Sequence, residues 1–146
     1  MISHMQKCAF CDVTEDERNK ILLATPLTVV LMANQRKVPG QLLVVPKRHV
    51  ERLSELSNEE RKEIFEVIVT AEKRIIKYYG AGCDVTQHYK PYLDEDGFKV
   101  NHLHFHVLPR YKGDSLDKLR EKERILYKSI TEKEWDDTVI MWSIAL

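Results

Sequence analysis

Nine consecutive residues, His102-Leu103-His104-Phe105-His106-Val107-Leu108-Pro109-Arg110, constrain this chain more than any other stretch. Three histidines alternate with three apolar side chains. Successive side chains of a β-strand point to opposite faces, so a strand here puts His102, His104 and His106 on one face and Leu103, Phe105 and Val107 on the other. Same-face neighbours on a strand lie ~6.6 Å apart, which lets three imidazoles address one substrate or one metal. Packing alone gives no reason for three like polar residues at period two. The alternation predicts a strand with a core on one side and chemistry on the other.

The rest of the chain supplies a setting for that strand. Its 146 residues suffice for one domain with a real core. Residues 27–33 form a β-rich run, and residues 41–45 follow it after a loop whose Pro39-Gly40 marks a turn, so the two are expected to pair as a hairpin. Ser57-Asn58-Glu59-Glu60 is a capping box. Ile64, Ile68, Ala71 and Ile75 recur behind it at helical spacing, which predicts an amphipathic helix over Asn58–Tyr79 that Gly80 and Gly82 end. A third strand is expected at residues 83–87, a loop at 89–97, and the histidine strand at 100–108. A second capping box, Thr131-Glu132-Lys133-Glu134, precedes Trp135, Val139 and Trp142 and predicts a C-terminal helix whose apolar stripe completes the core or borders the site. The expected fold class is α+β, an antiparallel sheet of about five strands with one long helix and a C-terminal helix, in a single domain over 1–146. Within it, 1–4 precede Met5 as a possible remnant and 115–146 form an extension.

Charge and cysteine content exclude several functions. Lys+Arg and Asp+Glu both number 23, a balance that argues against nucleic acid as partner while leaving room for a local phosphate site. No apolar run approaches the roughly 20 residues that span a bilayer, and no signal-peptide pattern opens the chain, so no membrane partner and a cytoplasmic location are expected. Three cysteines are too few for a disulfide framework. Cys83, among apolar and glycine neighbours, reads as a buried structural thiol.

Two chemistries compete for the histidines. Cys8-Ala9-Phe10-Cys11 has the spacing of half a tetrahedral zinc site, and His49 with one strand histidine can complete a Cys2His2 set; free thiols with no metal are the other reading. Alternatively, a neutral imidazole can attack phosphorus and form a covalent intermediate, provided a neighbour fixes its tautomer. A central His104 between His102 and His106 meets that need, and Arg110 can balance phosphate charge. Lys47 and Arg48 read as a solvated face. Spacing alone leaves an all-histidine metal site and a catalytic triplet both open.

The stretch from His102 to Leu108 resembles the signature of the histidine triad (HIT) superfamily, His-φ-His-φ-His-φ-φ with φ apolar, and its extension from Pro109 to Asp114 is similar to the Fhit-like and dinucleoside-polyphosphate phosphorylase branches. Cys8-Ala9-Phe10-Cys11 and Val38-Pro39-Gly40-Gln41-Leu42-Leu43-Val44-Val45-Pro46-Lys47-Arg48-His49 match in order. The resemblance covers residues 6–114. It implies a nucleotide hydrolase or transferase acting at the α-phosphate of a dinucleoside polyphosphate or nucleoside phosphoramidate, with His104 as nucleophile and His106 contacting the phosphate or helping the leaving group. It implies structural zinc on Cys8, Cys11, His49 and His102, and a homodimer with the long helix at or near the interface.

The chain departs from that pattern where substrate is expected. Gln41 stands where the family usually carries histidine, and Phe98 and Lys99 replace the usual Gln-Ser/Thr donors. His88 falls near a nucleotide-site asparagine, and Asn34 lies one place from a ribose-side asparagine. Asn34, Gln41, His88, Lys99 and Arg110 are accordingly the expected substrate-binding residues. The departures motivate a second hypothesis, a nucleotide-binding protein with weak or lost catalysis. A third is an aprataxin-like enzyme removing adenylate from nucleic acid ends, against which the neutral charge counts.

Overall fold

The computed structural model of the chain describes residues 8–11, 21–33, 35–80, 82–94 and 99–145. Its frame is a five-stranded antiparallel sheet. β1 (Ile21–Ala24) turns into β2 (Thr28–Met32) through a corner in which the Thr28 N–H donates to Thr25 Oγ1 at 3.1 Å and the Glu63 carboxylate accepts from the Leu27 N–H at 2.9 Å. β2 pairs with β3 (Leu42–Pro46) from Thr28 opposite Pro46 to Met32 opposite Leu42, the hairpin the sequence predicts. Gly40 in its loop has φ +82°, the left-handed region that favours glycine, and the Tyr79 hydroxyl fills the space a Cβ would take.

From β3 the chain passes through the long helix α1 (Asn58–Tyr79) to β4 (Gly82–Gln87) and then to β5 (Phe105–Arg110), giving the order β1-β2-β3-β5-β4. The last strand is thus inserted between β3 and β4, which places His106 inside the sheet rather than at an edge. α1 has the predicted bounds. Ser57 Oγ accepts from the Glu60 N–H at 3.1 Å and Glu60 Oε2 from the Ser57 N–H at 2.8 Å, while Gly80, in the left-handed region at φ +66°, closes the other end. Glu60 also takes the Arg48 guanidinium at 2.7 Å, so Arg48 is an anchor on the helix N-terminus and not merely a solvated residue.

Alternation along β5 divides its side chains between two cores. Phe105 and Val107 join Val30 and Val44 against Ile64, Val67, Ile68, Ala71 and Ile75 of α1. Ile64 has no exposed surface, and truncating such a residue to alanine costs roughly 2–5 kcal/mol. The other sheet face carries Val29, Leu31 and Val45, with Phe10, Ile21 and Leu43 packed on them. His106 stands opposite Leu43 in the ladder and so emerges on that second face.

Four elements differ from the sequence reading. β1 and α2 (Asp117–Glu123) were not expected, since neither shows a periodic apolar pattern. The histidine strand begins at Phe105, not at 100: residues before it leave the ladder, and the Leu103 N–H instead meets the Val50 carbonyl at 2.6 Å while Leu103 packs on Val50 and Leu56. The C-terminal helix α3 (Glu132–Trp142) forms with the predicted Thr131 cap, but its stripe does not complete the core, because Trp135, Val139 and Trp142 are 60%, 48% and 85% exposed. Among the described residues no helix is long and apolar enough to cross a membrane.

Candidate active site and metal centre

The three histidines share one sequence pattern and have three different environments, set in each case by what holds the second ring nitrogen. His102, 2% exposed, has Nε2 2.8 Å from the Pro46 carbonyl. A carbonyl only accepts, so Nε2 carries the proton and the Nδ1 lone pair faces outward. It faces sulfur: Cys8 Sγ lies 3.3 Å and Cys11 Sγ 3.6 Å from Nδ1. Cys11 Sγ is also 3.2 Å from His49 Nδ1, and the ligand atoms of Cys8, Cys11, His49 and His102 all lie within 4.8 Å of one another. A tetrahedral ion with Zn–S of about 2.3 Å and Zn–N of about 2.0–2.1 Å sets its sulfur and nitrogen ligands about 3.5 Å apart. The observed spacings fit that ion, and the Pro46 carbonyl orients His102 as an outer-shell partner does. The Cys11 N–H directed at Cys8 Sγ (3.4 Å) folds the two-cysteine turn around the same point.

His104 reverses the arrangement. Its Nδ1 donates to the His102 carbonyl at 2.7 Å, leaving the Nε2 lone pair available. Phe10, between the two cysteines, packs edge-on against both His102 and His104 at 5.7 and 5.2 Å between ring centres. The cysteine turn therefore braces the ring that presents this lone pair.

His106 differs again. Its Nδ1 lies 3.0 Å from Gln41 Nε2, and Gln41 Oε1 accepts from the Lys37 N–H at 2.8 Å. Its ring centre is 4.9 Å from that of His104 and 5.7 Å from that of His88. Burial pushes His102, His104 and His106 below the ordinary imidazole range. For His106, burial followed by the fields of His104, His88 and Lys37 brings the value down to about 4, so the ring is neutral at physiological pH. Burial followed by Lys90 and Lys37 also lowers His88.

His104 and His106 open into a cavity of about 380 Å³ whose lining includes His88 and Lys99. The lysine donates to the Leu93 carbonyl within the same wall. Glu51, Lys90 and Asn101 line it too, and sequence reading missed them. They come from loops with no periodicity, and only the fold brings those loops together.

Two other expected substrate residues are placed elsewhere. Gln41 is 4% exposed and sits behind His106 with both ends of its amide engaged. Arg110 does not reach the histidine cavity. It ends β5 beside a separate cleft and is held by Asp84, Asp114 and Asp117, with Asp114 Oδ2 2.7 Å from its Nε. That pairing depresses the Asp114 carboxyl to about 2 and raises Arg110 further above its already high value. A guanidinium satisfied by three carboxylates has little left to offer a phosphate. Asn34 lies outside the described residues. Cys83, expected to be buried, is half-buried; burial, then Glu72 and Asp84, push its thiol up to about 11.

A five-stranded antiparallel sheet with one long crossing helix, and alternating histidines leading into the strand next to its β4 edge, defines an α+β class. The HIT domain family model matches residues 14–113, and the chain belongs to that family. It is 28% identical over 135 residues to the bifunctional bis(5′-adenosyl)-triphosphatase/adenylylsulfatase FHIT of Arabidopsis thaliana, covering 92% of this chain and 70% of the relative. It is 28% identical over 105 residues to the adenosine 5′-monophosphoramidase of Schizosaccharomyces pombe, covering 70% and 74% of the two chains. The crystal structure of a HIT family member from Bacillus subtilis superposes with a TM-score of 0.68 over 97% of this chain and 99% of that one, at 18% identity.

Proposed function

We propose that the protein is a nucleotide hydrolase or transferase that cleaves at the α-phosphate of a nucleotide conjugate through a nucleotidyl intermediate on His104. The carrying observation is the opposed pair of nitrogens at the cavity: a bare Nε2 on His104 and, on the adjacent ring, a nitrogen whose partner atom is fixed by Gln41. His104 can attack phosphorus without first losing a proton, because its Nδ1–H is already committed to a carbonyl. The new N–P bond forms as the bond from phosphorus to the leaving group breaks, and water or another acceptor then releases the nucleotide. His88 and Lys99 stand on the cavity wall, where phosphate and nucleoside groups can be held. The relatives' triphosphatase and phosphoramidase activities support this reaction class.

Cys8, Cys11, His49 and His102 are the residues that would hold zinc, in keeping with the spacing of their ligand atoms. Bound there, the ion would tie the cysteine turn to two segments distant in sequence, a structural contribution. The protein would act as a homodimer. The exposed apolar side chains of the C-terminal segment (Ile125, Ile130, Trp135, Trp142) and of the outer surface of α1 (Phe65, Ile76) support association of two copies.

Substituting His104→Ala tests the mechanism. Turnover of bis(5′-adenosyl) triphosphate should fall by at least ~10³-fold, as expected for loss of a covalent nucleophile, with the circular dichroism spectrum unchanged. Full activity in that variant overturns the intermediate. Nucleotide binding by calorimetry without turnover in the wild type would favour the binding-only alternative.

A further inference from the structure

Gln41 has no degree of freedom left. The Lys37 N–H can only donate, so the amide atom 2.8 Å from it is the oxygen. The other amide atom is then the NH2 group, which can only donate, and it lies 3.0 Å from His106 Nδ1. Nδ1 must therefore accept, and the single proton of the neutral ring sits on Nε2. Turning the amide over would set two donors against each other at Lys37 and strand a residue that is 4% exposed. This assignment follows from connectivity alone.

We propose that Gln41, by holding His106 as the Nε2–H tautomer, makes that ring a hydrogen-bond donor that cannot release a proton, and so fits the site to nucleotide conjugates whose leaving group is a phosphate rather than an amine. The inference deepens the function proposed above and rests on His104 as nucleophile. To act as a general acid, His106 would have to give up its Nε2 proton and regain one at Nδ1. The amide blocks Nδ1 and has no labile proton to give. When the His104 Nε2 lone pair forms a bond to the α-phosphorus, the electrons of the breaking P–O bond pass to a bridging oxygen. A phosphate departs as a stable anion with no proton added, and the His106 N–H can hydrogen-bond to it as charge develops. When a P–N bond breaks, the nitrogen needs a proton to leave as an amine, and His106 has none to spare. Of the other imidazoles on the wall, His88 is itself held neutral by burial, then by Lys90 and Lys37, and the Nε2 proton of His102 is committed to the Pro46 carbonyl. Gln41 is thus a positioning residue acting through His106, and the amide in place of an imidazole is its chain-specific feature.

The test has two readouts on the wild-type protein. In the first, long-range 15N–1H correlations of histidine-labelled protein at neutral pH should show His106 with Nε2 protonated and Nδ1 bare. A protonated Nδ1, alone or together with Nε2, overturns the assignment whatever the enzyme's activity. In the second, kcat/KM for bis(5′-adenosyl) triphosphate should exceed that for an alkyl adenosine 5′-phosphoramidate by ~10²-fold or more, the lower range of what a general acid supplies. Gln41→His, which restores an ionisable partner, should move that ratio toward the phosphoramidate by about tenfold while shifting the His106 nitrogen signals. Equal wild-type rates on both substrates, or a ratio that Gln41→His leaves unmoved, overturns the substrate assignment. Cleavage of neither substrate overturns it together with the proposed function, whereas a His104→Ala variant that still favours the triphosphate overturns only the nucleophile.

Discussion

His102 and His106 are four residues apart in one motif, and the protein uses them in opposite ways. At His102 a backbone carbonyl accepts from the Nε2–H and leaves the Nδ1 lone pair to two thiols. At His106 a side-chain amide donates to Nδ1 and leaves Nε2 with the proton. One ring belongs to a cluster spaced like a metal centre, and the other opens on a cavity. Identical residues acquire different chemistry because each imidazole has two nitrogens, and whatever engages one decides what the other can do.

Each end of the motif can be perturbed on its own. The largest effect is expected at the His102 end. Cys11→Ser, or treatment with a strong chelator, should lower the thermal midpoint by ~10 °C, equivalent to about 2–4 kcal/mol, with loss of one metal per chain by elemental analysis. The His106 nitrogen signals should stay as they were. An unchanged midpoint with no metal in the wild type would show that the Cys8–Cys11–His49–His102 cluster holds no ion.

At the other end, Gln41→Leu leaves the Lys37 N–H without its acceptor and the part-buried His106 Nδ1 without its donor. A cost of about 1–3 kcal/mol in urea denaturation is expected, with both His106 tautomers becoming populated by NMR. A single tautomer in that variant would show that something other than the amide fixes the ring.

Proton linkage separates the two ends more gently. His106 has a folded value of about 4 against about 6.5 for an ordinary histidine, so the unfolded chain binds more protons between those values. Its contribution is therefore complete above about pH 6.5 and is lost as pH falls toward 4. The stability difference between wild type and His106→Asn, followed by urea titration, should shrink over that window. No change across it would place His106 in a less buried setting.

The smallest effect should come from far outside both ends. Trp135→Ser with Trp142→Ser should change monomer stability by only ~0.5 kcal/mol, as for other exposed sites, yet weaken self-association in sedimentation experiments.

Much of the frame is legible in the sequence. Ser57, Glu60 and the Ile64–Ile68–Ala71–Ile75 stripe specify α1 because capping and amphipathic spacing are local properties. The β2–β3 hairpin is legible for the same reason. β1 was not, since Ile21-Leu22-Leu23-Ala24 lacks alternation and becomes a strand through pairing with β2. The Trp135–Trp142 stripe misled about packing, as an apolar face does not say which surface covers it. Arg110 misled about the site: its place beside the motif gave no sign that Asp84, Asp114 and Asp117 converge on it from other segments.

The sequence by itself determined the family and the alternating histidine motif, because those depend on residue identity and short-range periodicity. Only the tertiary structure decided which nitrogen of each histidine carries its proton. That depends on Pro46, His102 and Gln41 contributing a carbonyl, a second carbonyl and an anchored amide at 2.8, 2.7 and 3.0 Å. A hydrogen bond is directional and acts only at contact distance, so no spacing along the chain can encode it until the fold brings donor and acceptor together.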